Sequence, residues 1–437
     1  MRYALLLLSL AMPAAALAQS PVPPISLDEA IAQGLANSRR LAELEARGQA
    51  ADYAVAGRAA SEMPIVAASG GYTRTNHVDI FVVRTPIGPP QVVYPDIPDN
   101  YRSRLDLQWP IYTGGRGDAL ERAARAEREA IGKDLDAARA DLRLEITRAF
   151  WAAVTAADTE AVLRRSLEAV DAHVRDVRAR LSSGLIPPNE VSSAEAQASH
   201  QRLIALEAAN QRSIAEADLA RLTGRDSVTV RAPDAAVPGT SAASIARAAE
   251  LITRALGVRP ERQALESRVR SAEERAAAVS AGRLPQVAVA GGYDYARPNA
   301  RIFPRSGDWK TSWDASVNVT WTLWDGGRRD AEYGEARATA SALRARVEDF
   351  DRQVTFEVRA RLLELESSRQ GLVAADDGIR AALEAERVIG ERYAAGVATS
   401  TEVLDAQVAR LQAELDRARA IANIRLAEAR LERAIGG

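Results

Sequence analysis

The sequence predicts a mainly α-helical protein with a smaller β-barrel part, built as a tandem repeat of two strands and a long helical hairpin. Three observations support this prediction. Long runs rich in Ala, Leu, Arg and Glu favour helix at almost every position. Short segments in which apolar and polar residues alternate are typical of strands. The same order of motifs occurs twice along the 437 residues, which is the signature of a repeat architecture.

The first residues, 1–18, have the pattern of a secretion signal. Arg2 supplies a basic start, 4–10 an apolar stretch and 16–18 a small-residue cleavage site. We expect cleavage here, with a mature chain that begins at Gln19. An uncleaved membrane anchor is the alternative, but the apolar stretch is too short to span a bilayer comfortably.

Composition excludes several classes of protein. The chain has no cysteine, which excludes a lipid-anchoring cysteine, disulfides and thiolate metal sites. The net charge of −2 does not indicate nucleic acid as a partner. His77, His173 and His200 lack ligand spacing, so we expect surface positions, no metal site and no cofactor. After residue 18 no apolar run has the length of a membrane helix, so a membrane role would require strands.

The first half of the chain divides into three predicted segments. Residues 19–62 are helical, opened by a capping box at Ser26–Glu29 and ended by Pro64. Residues 63–113 hold strands at 65–72 and 104–112, joined by an exposed proline-rich loop. Residues 114–224 form a long helical hairpin that turns at Gly184–Pro188. Its first helix carries a heptad seam at Leu163, Leu167, Val170, Val174, Val177 and Leu181.

The second half repeats the pattern of the first. Residues 225–283 are an irregular connection followed by short helices with a break near Gly257–Pro260. Residues 284–325 are the second strand pair, and 326–437 are the second long hairpin. From Leu105 onward the matches share one offset: Gly396 repeats Gly184, 212 positions earlier. The last strand is therefore expected to repeat the apolar positions 105, 107, 109 and 111 at Val317, Val319, Trp321 and Leu323.

Four strands per chain constrain how this protein could enter a membrane. Four strands do not close a barrel, and open sheet edges are not tolerated in lipid. Several copies would therefore have to share one barrel. Trp109, Tyr112, Trp321 and Trp324 lie near the strand ends that lead into the helices, as aromatic residues do at a membrane interface. A soluble sheet capped by aromatic residues is the alternative. The dense mixed charge of the helices indicates mostly solvated faces, with some charges toward an aqueous lumen.

Several junctions and turns resemble those of the TolC family of outer-membrane efflux ducts. They are Trp321–Arg328, Tyr112–Arg116 and the turn Tyr393–Gly396 leading into Glu402–Ala406. The resemblance covers essentially the whole chain after the secretion signal. It implies a homotrimer in the outer membrane and its lipid, with a twelve-stranded barrel continued by a periplasmic helical tunnel. It also implies partners, a periplasmic adaptor and through it an inner-membrane pump, and no catalysis.

The resemblance also assigns site residues. Glu402 and Asp405 would ring the periplasmic aperture, and acidic rings favour cations. For Glu402 a capping box with Thr399 explains the residue equally well. Tyr393 would help to hold the closed state, with Glu190 as its acidic partner and Asn189 beside it.

Ala398 stands where the type member of the family has an arginine that bridges to the next protomer, so that ionic latch is missing. The turns at Gly184, Leu185, Gly396 and Val397 would dock the adaptor. Two other classes of function are alternatives. A periplasmic coiled-coil spacer or adhesin stalk would use the helices without a channel. A secreted enzyme would need convergent polar residues, which the sequence does not show.

Overall fold

The computed structural model describes residues 23–231 and 247–437, in which the elements recur in two sets. The predicted secretion signal and part of the connection at 225–283 lie outside the described residues. The first set is α1 (Leu27–Asn37), α2 (Arg39–Ala60), β1 (Ile65–Arg74), β2 (Phe81–Val83), β3 (Gln91–Tyr94), β4 (Asp99–Tyr112), α3 (Arg116–Ser182) and α4 (Pro188–Thr223). The second set is α5 (Ala248–Val258), α6 (Pro260–Ala281), β5 (Gln286–Arg297), β6 (Lys310–Thr320), α7 (Arg328–Ala394) and α8 (Ser400–Ala434).

The two long hairpins have matching lengths. α3 and α7 each contain 67 residues, or roughly 100 Å at 1.5 Å per residue. α4 and α8 contain 36 and 35 residues. The predicted seam is confirmed in α3, where Leu163, Val170, Val174 and Val177 are buried. Seven of the other sixteen buried positions of α3 are alanines, which allow its neighbours to approach closely.

Each hairpin packs on a short helix of its own half. Phe150 and Ile146 of α3 form a buried cluster with Leu219 of α4, against which α1 packs. Val358 of α7 and Ile424 of α8 form the corresponding cluster against α5. Among the described helices, none combines the length and the apolar content that crossing a membrane would require.

One antiparallel sheet joins the two halves, with the strand order β1-β4-β5-β6. Its pairing repeats with the sequence: Tyr72 pairs with Tyr101 in the first half, and Tyr293 pairs with Trp313 in the second. β4 and β5 pair across the boundary between the halves. Because alternate side chains point to opposite faces, one face is largely apolar and the other carries most of the charged residues of these strands.

Two expectations for the strands are corrected. β6 ends at Thr320, so Trp321 and Leu323 lie beyond it. The cause is pairing: Thr320 already lies opposite Gln286, the first residue of β5, so later residues have no partner. β4 extends to Tyr112 because β5 continues alongside it. The proline-rich loop is mostly exposed as predicted, but it also contains the β2–β3 hairpin, whose strands are too short to show alternation.

Candidate functional site

Both long hairpins turn with the same backbone geometry. Gly184 and Gly396 have φ of 73° and 76°, a region that glycine enters without steric cost. The residue after each glycine donates its N–H to a carbonyl in the last turn of the preceding helix. The Leu185 N–H donates to the Arg180 carbonyl at 3.0 Å, and the Val397 N–H to the Arg392 carbonyl at 2.9 Å. This pattern is the Schellman motif that ends many helices. The two turns are therefore equivalent structures.

The turns present apolar side chains to solvent. Leu185 is 73% exposed and Val397 is 64% exposed. Exposed apolar residues at the end of a rod are suited to contact with another protein, although two single residues do not by themselves form an extensive patch.

A buried polar contact joins the two hairpins near these turns. His173 Nε2 of α3 lies 2.8 Å from the hydroxyl oxygen of Ser400, the first residue of α8. The ring of Tyr393, in the last turn of α7, lies 5.5 Å from the His173 ring. The guanidinium of Arg180 lies 4.2 Å from the Tyr393 ring centroid, where a cation is attracted to the aromatic face. These four residues are called the tip cluster below.

The prediction of a surface position is wrong for His173, which is only 6% exposed. His77 and His200 are exposed as expected. Burial lowers the pKa of His173, and Arg180 lowers it further, while Asp176 opposes them. Sequence reasoning missed this residue, although it lies directly beside seam residue Val174. His173 is also one heptad before Arg180, so His173 and Arg180 occupy the same packed side of the helix.

Tyr393 is buried, and its hydroxyl makes no hydrogen bond with the described residues. Burial raises its pKa; Arg180 opposes this rise, and the negative charges of Asp176 and Glu190 add to it. Glu190 is thus close enough to act electrostatically, but the direct pairing with Tyr393 is not made within the single chain. Asn189, the neighbour of Glu190, is exposed.

The two acidic residues of the second turn differ in their contacts. Glu402 completes the capping box: its carboxylate accepts a hydrogen bond from the Thr399 N–H at 2.7 Å, and its own N–H donates to the Thr399 hydroxyl at 3.3 Å. The bond from the Thr399 backbone lowers the pKa of Glu402. Asp405 is exposed and forms no hydrogen bond or ion pair with the described part of the chain.

The predicted interface aromatics lie at the end of the sheet that leads into the long helices. Trp109 and Tyr112 are within β4 and are 44% and 46% exposed. Trp321 lies just after β6 and donates its indole N–H to the Arg283 carbonyl at 3.1 Å. Trp324 is 84% exposed.

The repeated architecture matches that of a family of known proteins. The family model described as "Outer membrane efflux protein" matches residues 30–225 and 251–437, most of the chain. This protein therefore belongs to the outer membrane efflux protein family, whose members are transport proteins and not enzymes. No curated protein matches it by sequence.

Solved structures have the same fold at low sequence identity. A membrane protein from Pseudomonas aeruginosa is 21% identical, with a TM-score of 0.77 and coverage of 95% of this chain and 91% of the other. The outer membrane protein VceC from Vibrio cholerae is 18% identical, with a TM-score of 0.77 and coverages of 94% and 96%. The open state of the MtrE outer membrane channel from Neisseria gonorrhoeae is 19% identical, with a TM-score of 0.74 and coverages of 94% and 89%.

Proposed function

We propose that three copies of this chain form the outer-membrane duct of a tripartite export system. Twelve strands close one barrel in the outer membrane, and twelve helices of the long hairpins line a periplasmic tunnel. A periplasmic adaptor docks at the turns around Gly184, Leu185, Gly396 and Val397 and links the duct to an inner-membrane pump. The duct itself is passive, and cargo passes through it to the exterior.

The observation that carries this proposal is that the four-stranded sheet is open at both of its edges. β4 pairs with β5 inside the chain, whereas β1 and β6 each have one edge that no described residue pairs with. An unpaired edge exposes backbone donors and acceptors, which lipid does not tolerate. β1 and β6 run in opposite directions, so β6 of one copy and β1 of the next continue the antiparallel order. Three copies make a barrel wider than the eight strands that fill their own interior.

The helices show the same incompleteness. Within the chain, α8 of the second half packs against α3 of the first. In the repeat, α4 corresponds to α8 and α7 corresponds to α3. The same contact between copies therefore places α4 of one copy against α7 of the next. These two helices carry large exposed apolar residues, which a neighbour would cover: Leu203, Leu206 and Ile214 on α4, and Phe356, Leu363 and Val373 on α7.

The periplasmic gate is assigned to the turns. Three copies of Asp405, with Glu402, place acidic groups around the aperture, which favours cations there. With Ala398 in place of an arginine latch, closure rests on packing around Tyr393, helped by Glu190 and Asn189. At the other end of the tunnel, Trp109, Tyr112, Trp321 and Trp324 mark the membrane interface.

The register within the chain predicts the register between copies. Gln108 of β4 lies opposite Ala290 of β5. The counterpart of Gln108 in the other half is Thr320. The counterpart of Ala290 is Ser69, because β1 and β5 are related by the same offset that relates Tyr72 to Tyr293. Thr320 of one copy should therefore lie opposite Ser69 of the next.

Cysteine cross-linking tests this proposal cleanly, because the chain contains no cysteine of its own. The double variant Thr320→Cys with Ser69→Cys should form covalent trimers in outer membranes under mild oxidation. The control, Asn318→Cys with Ser69→Cys, is displaced by two residues and should cross-link much less. Only monomers from both variants, or equal yields, would contradict the proposed closure. Conductance of the purified trimer in a planar bilayer separates a duct from a spacer, since a spacer gives none.

A further inference from the structure

The polar face of the sheet carries a network of charges that spans both halves of the chain. Arg104 of β4 contacts Asp106 at 2.6 Å and Asp314 of β6 at 3.0 Å. It also pairs with Asp294 of β5, which Arg102 contacts at 2.5 Å. The side chain of Asp294 is only 7% exposed. Buried charges of this kind persist because they are paired and hydrogen-bonded.

The segment between β5 and β6, residues 298–309, folds back over this polar face. Asn299 is 4% exposed. It donates to the Lys310 carbonyl and to the Ser312 hydroxyl, both at 3.0 Å. Arg301 contacts Asp314 at 3.1 Å and donates to the Trp313 carbonyl at 2.9 Å. The first part of the segment is therefore attached to β6 by charge-assisted and buried hydrogen bonds.

The remainder of the segment is attached elsewhere. Arg305 donates to the Tyr94 hydroxyl of β3 at 2.6 Å and lies 5.0 Å from the centre of that ring. The Trp309 ring stacks on Tyr295 with centroids 4.7 Å apart. Arg305 therefore ties the segment to the β2–β3 hairpin. Tyr295 follows Asp294 in β5 and so lies on the opposite, apolar face, where Trp309 anchors the end of the segment.

A cavity of about 490 Å³ lies between the segment and the sheet. Its floor comes from the polar positions of all four strands, and its roof from residues 298–301 and Arg305. The strand residues include Ser69, Thr73, Asn100, Arg102, Asp294 and Ser312. Four arginines (102, 104, 301 and 305) face three aspartates (106, 294 and 314) in and around it, so the balance of charge is positive.

We propose that residues 298–305 of the three copies form a second constriction, at the outer mouth of the barrel, whose arginine-rich lining favours anions. The inference rests on the proposed trimeric barrel, in which the polar face of the sheet lines the lumen. In that barrel the three roofs project toward the axis from the polar faces. The outer constriction is opposite in sign to the acidic inner aperture, so the two ends discriminate by different charges.

Accessibility of a single cysteine tests this constriction independently of the inner gate. Thr73→Cys places a thiol under the roof, and Phe303→Cys places one on its outer side, where Phe303 is 76% exposed. On intact cells, a small thiol reagent should label both positions. A maleimide carrying a bulky polymer should label Phe303→Cys readily and Thr73→Cys poorly. Equal labelling of both positions by the bulky reagent would overturn the constriction.

Removing the attachment should open the mouth. Adding Arg301→Gln to Thr73→Cys removes the charge-assisted contacts to β6, and labelling by the bulky reagent should become about tenfold faster. Arg84→Gln, in the loop between β2 and β3, is the matched control and should leave that rate unchanged. An unchanged rate in the Arg301 variant, in a chain that still purifies as a trimer, would contradict the inference and leave the duct proposal intact. The duct proposal is tested separately, by the yield of covalent trimer from Thr320→Cys with Ser69→Cys.

The sign of the lining has its own measurement. Small thiol reagents of equal size and opposite charge, one sulfonate and one quaternary ammonium, are compared at Thr73→Cys and normalised to Phe303→Cys. The sulfonate should react faster, and Arg102→Gln should reduce its advantage. A preference for the ammonium reagent would overturn the anion assignment.

Discussion

α3 and α7 are equivalent by sequence and equal in length, yet they differ in how much of their surface the chain covers. Trp151 of α3 is 6% exposed, whereas its counterpart Leu363 of α7 is 56% exposed. α3 packs against α1, α2, α4, α6 and α8, and α7 packs against α5, α6 and α8. The difference shows that α3 occupies the middle of the chain's helical layer, and α7 its edge. In the proposed trimer, a neighbouring copy covers this edge.

The largest effect is expected from truncating the covered position. Trp151→Ala should lower the free energy of unfolding by about 3–5 kcal/mol, because it leaves a cavity in a packed core. Leu363→Ala, its counterpart, should change the unfolding of the single chain little and weaken the trimer instead. Denaturation in detergent and the yield of covalent trimer measure the two effects. If both variants destabilised the single chain equally, the distinction between middle and edge would fail.

The turns provide a second comparison, since Gly184 and Gly396 have the same geometry. A valine at either position would have to adopt positive φ, at a cost of about 1–2 kcal/mol, while no neighbouring atom lies within 4 Å of the new Cβ. Gly184→Val and Gly396→Val should therefore loosen the turn and leave the fold intact. Trypsin cleavage near the turn should become faster than in Gly390→Val, a helical control. An unchanged cleavage rate would show that the turn tolerates the substitution.

The tip cluster makes the contact between α3 and α8 within the chain sensitive to pH. Because burial lowers the pKa of His173, the neutral form is favoured in the fold. Stability from this packing is present above the ordinary histidine pKa of about 6.5 and is lost as the pH falls below it. Acid should therefore weaken the contact between α3 and α8.

The measurement is the loss of stability between neutral and mildly acidic pH. His173→Gln, which keeps a hydrogen-bonding side chain but does not titrate, should lose less than the native chain. His200→Gln, at an exposed position, should behave as the native chain does. Equal losses in all three proteins would remove His173 from the pH response.

The smallest effect concerns one ion pair. Arg165 of α3 lies 3.9 Å from Glu414 of α8. Their counterparts are Asp377 of α7 and Arg202 of α4, with the charges exchanged. The proposed contact between copies therefore brings Asp377 of one copy near Arg202 of the next.

Charge reversal tests this pair. Asp377→Arg should weaken the trimer by no more than about 1 kcal/mol, because both side chains are largely exposed. Arg202→Asp should act similarly, and the double variant should recover part of the loss. Additive losses in the double variant, measured by dissociation of the trimer in denaturant, would exclude the pairing.

Local chemistry in the sequence was enough to predict the long helices, the paired glycine turns, the capping box at Glu402 and the doubled order of elements. These features depend on helix propensity, on periodicity and on residues a few positions apart, all of which are visible in one dimension. Only the tertiary structure decided that β6 ends at Thr320, that His173 is buried and that α3 is covered while α7 is not. Each of these features depends on which distant segment lies alongside. The two repeats have different neighbours because the halves meet only once within the chain, where β4 pairs with β5 and α3 packs against α8.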